Sequence, residues 1–334
     1  MLNWVRKTVQ RGVIAYAVMF LSLMTSLSGC HPSNPATNYP EPGADRYVYT
    51  DRSPDGTRTF TYHLSSPDHK VLLPPILREI SGITMLDSLH LAGIQDEEGR
   101  VFIFRISNGM IERTIPFAEN GDYEDIIIAG DTIYILKSNG NIYMVEQYDH
   151  PRPLVTRFKT PLSSRNDCEG ICYLNGLNSL LVACKGAPSL NKDQHVPGVR
   201  AIYRFTLTTG QLDTVPFISI YTGELASQEP MDWYQGISVR MANRLNQNGN
   251  IVFQPSGIAV HPVTGNLYIL AHVGKMILII DLRGEILGRV AIDPTILPQP
   301  EGICFDHQGV LMIVSEGIEA DAILTVYHPE VTVR

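Results

Sequence analysis

Charge is scarce in this chain, and positive charge is the scarcer sign: Lys and Arg number 26 against 34 Asp and Glu, and the four types together make up only 18% of the residues. A body with a formal charge of −8 offers no basic footprint for nucleic acid or anionic lipid headgroups. Cysteine occurs five times, and no spacing matches a metal ligand set or a small disulfide scaffold. Also missing are a Gly-rich phosphate loop, a His-x-His pair and a nucleophile elbow. A hydrophobic content of 44% excludes the disordered class and supplies a large core.

Long apolar runs are absent too, except near the N-terminus. Arg6, Lys7 and Arg11 precede the stretch from Val13 to Met24, which is too short to span a bilayer comfortably. Leu27-Ser28-Gly29-Cys30 follows and resembles the bacterial lipoprotein box, whose cysteine becomes the lipidated first residue of the mature chain. Residues 1–29 are therefore expected to be a lipoprotein signal peptide, with Cys30 as the lipidation site. Residues 30–45 carry four prolines and read as a tether. An acylated Cys30 would hold the protein stably on a membrane of the cell envelope. His31, standing where an aspartate would retain the protein at the inner membrane, favours the outer one. Loss of residues 1–29 removes three positive charges and moves the balance from −8 to −11.

What is present is a repeat within residues 46–334, which read as one domain. Glu79-Ile-Ser-Gly-Ile83, Glu124-Asp-Ile-Ile-Ile128, Glu169-Gly-Ile-Cys-Tyr173, Ser256-Gly-Ile-Ala-Val260 and Glu301-Gly-Ile-Cys-Phe305 look alike, and three of the four steps between them are 45 residues and one is 87. A period near 45 is that of four-stranded propeller blades, each unable to bury its faces until neighbours stack on it. The predicted fold is an all-β propeller of five four-stranded blades. Because the stretch from Tyr221 to Gln254 has too few apolar runs for four strands, the long step holds one blade with insertions at about 187–198 and 222–250; six blades is the alternative. Trp233 and Tyr234 in the second insertion are candidates to cover one face. The last copy has room for three strands, so a strand from Thr57 to Leu73, which contains the run Thr59 to Leu64, is expected to close the ring and remove an exposed edge.

In a propeller the first strand of each blade lines the channel, and antiparallel pairing brings its start and the end of the second strand to one face. Glu79, Glu124, Glu169 and Glu301, with Ser256 in the fourth blade, are therefore expected around one mouth. Asp96, Glu97, Lys137, Lys185, His272 and Glu316 should join them. Carboxylates so crowded must hold protons or be neutralised by cations. Calcium suits such a site, since it takes about six to eight oxygens. The four glutamates are its candidate ligands, and the remaining residues are candidates to bind a small molecule. The competing structural reading pairs Lys137 with Glu124 and Lys185 with Glu169. His261 and His307 fall in turns and are expected at the surface, whereas Cys172 and Cys304 lie on apolar strands and should pack.

These residues also carry a resemblance. Glu79-Ile-Ser-Gly-Ile83, Gln95-Asp-Glu97, Asp122-Tyr-Glu-Asp125, Glu169-Gly-Ile171, Pro255-Ser-Gly-Ile-Ala259, Pro300-Glu-Gly-Ile303 and Ser315-Glu-Gly317 resemble the SdiA-regulated family of exported β-propeller proteins. The resemblance implies fold and location and no particular activity; it departs at Ser256 and after Tyr221. More distantly, the fold is similar to calcium-containing propellers such as lactonases and phosphotriesterases, which is fold analogy alone. Three functions fit: a binding module holding a cation and a ligand at the mouth, a metal-dependent hydrolase of phosphoesters or lactones, or a scaffold docking other envelope proteins. Binding ranks first, because a hydrolase needs free acids and the lysines stand ready to occupy them.

Overall fold

The computed structural model describes residues 44–194, 196–226, 253–317 and 320–334. The signal peptide, Cys30, most of the tether, Trp233 and Tyr234 lie outside them. Among the described residues the strands form six sheets. The first contains Ile80–Met85, His90–Gln95, Arg100–Arg105 and Ile111–Pro116 in that order, and the second Tyr123–Ala129, Thr132–Lys137, Ile142–Glu146 and Leu154–Phe158. The third runs Cys168–Leu174, Ser179–Cys184 and Val199–Thr206, with an outer strand split into Gln211–Leu212 and Ile218–Tyr221. The fourth is Gly257–Val260, Leu267–Ala271, Met276–Ile280 and Ile286–Ala291.

Side-chain alternation explains why these sheets stack. On Thr132–Lys137, Ile133 and Ile135 join an apolar cluster shared with the first sheet, while Tyr134 and Leu136 join one shared with the third. On Leu267–Ala271, Leu267 and Ile269 pack toward the third sheet, and Tyr268 and Leu270 toward the fifth. A strand buried on both faces reads as an unbroken apolar run, and each face needs a different neighbour. The circle closes through a cluster in which Val314 and Leu324 of the fifth sheet meet Ile83 and Phe102 of the first.

The first strands crowd together at the centre, as a propeller requires. A Cβ on Gly257 would lie 2.5 Å from the Glu301 carbonyl oxygen, and one on Gly302 would lie 3.1 Å from Gly82 Cα. Glycine is needed where backbones approach so closely. The second sheet has Asp125 at that place. Its carboxylate, fully buried, accepts hydrogen bonds from the Ile126 N–H and, across the gap, from the Ile171 N–H, each at 2.8 Å. Burial keeps this carboxyl well above the usual range.

The fifth sheet is Pro300–Phe305, Leu311–Ser315, Ile323–Tyr327 and, from the other end of the chain, His69–Leu72. Ile323 stands opposite Leu72 and Val326 opposite His69. An N-terminal strand thus completes the sheet, but it is not the run from Thr59. Outer strands here are largely exposed and need little apolar content, whereas Phe60, Tyr62 and Leu64 all pack into the cluster between the fourth and fifth sheets. Their strand, Arg58–His63, pairs instead with Val48–Arg52 and Glu330–Val333.

A buried polar clasp fixes that sixth sheet. Asp51 accepts hydrogen bonds from Thr264 Oγ1 (2.8 Å), Tyr268 OH (2.9 Å), Asn266 Nδ2 (2.8 Å) and the Arg52 N–H (2.9 Å). Beside it, His261 is wholly buried, contrary to the expectation that it lies at the surface. Its Nδ1 accepts the backbone N–H groups of Val263 and Thr264 at 3.2 and 3.1 Å, folding the ring into its own turn. That tautomer leaves Nε2–H to donate to Tyr62 OH at 2.8 Å, and Tyr62 donates to the Gly309 carbonyl at 2.7 Å. His307 is exposed and Cys172 and Cys304 are buried, as their sequence contexts suggest.

Candidate functional site: the acidic mouth

The first strands of four sheets carry a β-bulge at the same place. Pairing slips between Ile80 and Gly82, Tyr123 and Asp125, Cys168 and Gly170, and Pro300 and Gly302. The extra residues are Ser81, Glu124, Glu169 and Glu301; Ser256 holds the place in the fourth sheet, where pairing is regular. A bulge re-aims a side chain at a sheet end, here at the channel.

This register corrects the repeat. Ser81, not Glu79, is the equivalent of Glu124, and the first step is 43 residues rather than 45. The hydroxyls agree: Ser81 Oγ donates to the Tyr123 carbonyl and Ser256 Oγ to the Pro300 carbonyl, both at 2.8 Å, each reaching the residue before the next sheet's glutamate. The inner ring is therefore three glutamates and two serines. Glu79 stands two residues upstream in an outer tier with Asp122, Asp167, Gln254 and Gln299. Carbonyls of this tier accept the N–H groups that end the second strands: Glu79 from Asp96 at 3.3 Å, Asp122 from Ser138 at 3.0 Å, Asp167 from Lys185 at 2.7 Å and Gln299 from Glu316 at 2.9 Å.

Together the tiers enclose a cavity of about 340 Å³. Glu79, Glu124, Glu169, Ser256 and Glu301 line it, as do Asp96, Lys185, His272 and Glu316. Glu97 and Lys137 do not. Ser138 is the residue equivalent to Asp96 and Lys185, so Lys137 is one position off and points elsewhere, as the period of two demands. Its ammonium lies over the Tyr123 ring, 5.2 Å from the centroid, and does not pair with Glu124. Glu97, one residue beyond Asp96, is exposed. Asp122, Asp167 and Gln254 join the lining without having been anticipated. Their signal was an acid or amide two residues ahead of each inner-ring position, visible once the first copy is aligned on Ser81.

Eight carboxylates thus face one lysine and one histidine among the described lining residues. Lys185 Nζ lies 2.7 Å from Glu169 Oε1 and 3.9 Å from Asp167 Oδ2, so one of the two expected lysine pairs forms. His272 Nδ1 lies 2.8 Å from Glu301 Oε1, and its backbone N–H donates to Ser256 Oγ at 3.1 Å. Burial, then the charges of Glu169 and Asp122, pushes Glu124 up to about 9. Burial, aided by Glu79 and Glu316, raises Asp96 to about 7. Glu169 also rises to about 7 through burial, against the pull of Lys185. Glu316 is raised by burial and by Glu301. Asp96 Oδ1 is buried without a hydrogen-bond partner among the described residues.

Among the described residues, no group of three or more His, Cys, Asp or Glu side chains is placed to hold a metal ion. Two of the glutamates already hold side-chain partners, Glu169 with Lys185 and Glu301 with His272. A larger cavity of about 730 Å³ opens at the opposite ends of the first and fifth sheets. Its charged groups are engaged elsewhere, Arg105 with Glu112 at 2.8 Å and Asp87 with His90 at 2.9 Å.

Fold and site define an all-β, propeller-type protein with an acidic cavity at one channel mouth. Within that class, the family model described as SdiA-regulated matches residues 225–317, which bears out the resemblance over that stretch. No curated protein matches the chain. Similar solved structures include the glutaminyl cyclase of Myxococcus xanthus, at 12% identity and TM-score 0.49, covering 80% of this chain and 97% of that one. Virginiamycin B lyase from Staphylococcus aureus is similar at 17% identity and TM-score 0.41, covering 86% and 83%. A PQQ-bound aldose sugar dehydrogenase from Streptomyces coelicolor is similar at 11% identity and TM-score 0.46, covering 79% and 98%.

Proposed function

We propose that this chain is a five-bladed propeller, tethered through lipidated Cys30 to the cell envelope, that binds a cationic ligand at its acidic mouth. The observation that carries the reading is the imbalance at the cavity among the described residues: eight carboxylates against one lysine and one histidine, both already paired. Glu124 keeps its proton at neutral pH, and Asp96 and Glu169 keep theirs in part. An entering cation displaces those protons and turns repulsion between the acids into attraction for the ligand. The unpartnered Asp96 oxygen accepts a hydrogen bond from it.

An organic ammonium or guanidinium group suits a cavity of about 340 Å³ lined along its walls better than a bare ion does. The count of five blades is supported by the close approach of Gly170 to Ile258, which leaves no room for a further first strand between the third and fourth sheets. The tether and an outer-membrane placement are supported by the lipoprotein box and by His31.

Calorimetric titration at pH 7.5 with 1,4-diaminobutane, arginine amide and calcium tests the site. The organic cations are expected to bind with release of protons, read from the buffer dependence of the heat, and to lose on the order of tenfold in affinity in Glu301→Gln. Binding of calcium alone would replace this reading with a metal site. No heat and no rise in melting temperature with any of the three sinks it.

A further inference from the structure

We infer that Cys168 and Cys184 become a cross-strand disulfide when the folding chain meets a disulfide oxidant, stapling the wall of the acidic mouth. The two residues face each other across the first two strands of the third sheet, and their sulfur atoms lie 4.0 Å apart as thiols. The Cys168 N–H is committed to the Ser138 carbonyl at 2.9 Å, and the adjacent ladder bond runs from the Lys185 N–H to the Asp167 carbonyl at 2.7 Å. The pair therefore occupies a non-hydrogen-bonded site, where antiparallel Cα atoms approach to about 4.5 Å. Disulfides span Cα separations of about 4.4–6.8 Å, so side-chain rotation suffices to bring the sulfurs to a bond of about 2 Å.

The other buried cysteines are internal controls. Cys172 stands opposite Leu181 in the cluster between the third and fourth sheets, and Cys304 opposite Met312 in the cluster between the fifth and first. Neither faces a thiol. The location of the pair matters for the site as well. Asp167 and Glu169 flank Cys168 and Lys185 follows Cys184, so a bond here ties together the strand ends that present the Lys185–Glu169 ion pair.

Both sulfurs are wholly buried in the native chain, which assigns the reaction to folding, before the second and fourth sheets close over the third. One cysteine thiolate attacks the oxidant's disulfide and expels a first thiol, leaving a mixed disulfide. The partner thiolate then attacks the cysteine sulfur of that intermediate, forming the Cys168–Cys184 bond and expelling a second thiol. Two electrons pass to the oxidant, and the two protons end on the expelled thiols.

The tethered, exported reading matters only as the supply of oxidant, and two arms keep the two apart. In the first, the reduced, unfolded chain is refolded with glutathione disulfide, quenched with an alkylating reagent under denaturing conditions, digested without reductant and mapped by mass spectrometry. The expected result is a Cys168 peptide joined to a Cys184 peptide, with Cys172 and Cys304 alkylated. Reductant should then lower the melting temperature of the parent and leave that of Cys184→Ala unchanged. Alkylation of both Cys168 and Cys184 after such refolding, or a bond from either to another cysteine, overturns the inference. In the second arm the full chain is produced with its own N-terminal segment and mapped directly; a linked pair in the first arm and free thiols in the second leave the disulfide standing and refute export.

Discussion

Three glutamates occupy equivalent bulges and live in three different states. Glu169 holds Lys185, Glu301 holds His272, and Glu124 has no ion-pair partner among the described residues. Its answer to burial is to keep its proton, with its pKa pushed to about 9. An unfolded glutamate ionises near pH 4.5, so between about 4.5 and 9 the native state binds more protons than the unfolded one. The stability carried by the neutral carboxyl is accordingly lost as pH rises through that window. Glu124→Gln keeps the neutral shape and removes the titration. Scanning calorimetry should find the variant close to the parent at pH 5 and about 2–5 °C more stable at pH 9. Equal melting temperatures for the two proteins at pH 9 would contradict a buried, protonated Glu124.

At the scale of elements, the sixth sheet depends on one carboxylate. Asp51 reaches Thr264, Asn266 and Tyr268 on the fourth sheet and its first turn, with Thr264 213 residues distant in sequence. Asp51→Ala orphans two buried donors, on Thr264 and Tyr268, and the half-buried Asn266 amide; it is expected to cost about 2–4 kcal/mol, read from denaturant melts, and to make the segment from Val48 to His63 the first site of limited proteolysis. Loss of less than about 0.5 kcal/mol would mean that apolar packing of Phe60 and Tyr62 alone holds the sheet. The clasp is also acid-labile. Burial pushes His261 down to about 4, so its neutral state stabilises the fold above pH 6.5, and that contribution is lost as pH falls through 4.

The same elements show what could be read from the chain beforehand. The repeat was legible because every blade must place glycine or an equivalent beside its neighbour's backbone and follow it with an inward isoleucine; Gly82-Ile83, Gly170-Ile171, Gly257-Ile258 and Gly302-Ile303 all do so. The bulge was not legible, since an extra residue in one strand is defined only by its partner. Counting from Glu79 therefore merged the outer tier with the inner ring and hid Asp122 and Asp167. Lys137 failed for the same reason, by a slip of one. The closing strand falls within Thr57 to Leu73 as expected, but not at the run from Thr59, because apolar content marks burial and an outer strand such as His69–Leu72 is barely buried. Asp51 left no local trace, for its partners are remote in sequence.

For the whole molecule, the fold, the charge and the N-terminal segment lead to one expectation about place. Residues 44–47 form a single turn of 3-10 helix leading into the sixth sheet. If Cys30 is acylated, cells supplied with labelled palmitate should label this protein, and Cys30→Ser should abolish the label and move the domain from the membrane to the soluble fraction. Persistence of label in Cys30→Ser would remove the anchor from the reading. Among the described residues no helix is long and apolar enough to cross a membrane.

The closing strand also sets an order in time. Asp68, just ahead of His69–Leu72, accepts a hydrogen bond from the His328 N–H at 2.7 Å across 260 residues of chain. As a ribosome delivers the protein from its N-terminus, that strand emerges and waits, unpaired, until Ile323–Tyr327 appears about 250 residues later. A chain halted before Pro300 has an open ring, with the apolar faces of Ile83 and Phe102 lacking Cys304, Met312 and Val314 of the fifth sheet. Completion of the ring thus requires synthesis past Tyr327, and termination before Pro300 yields a sticky fragment in place of a smaller working protein.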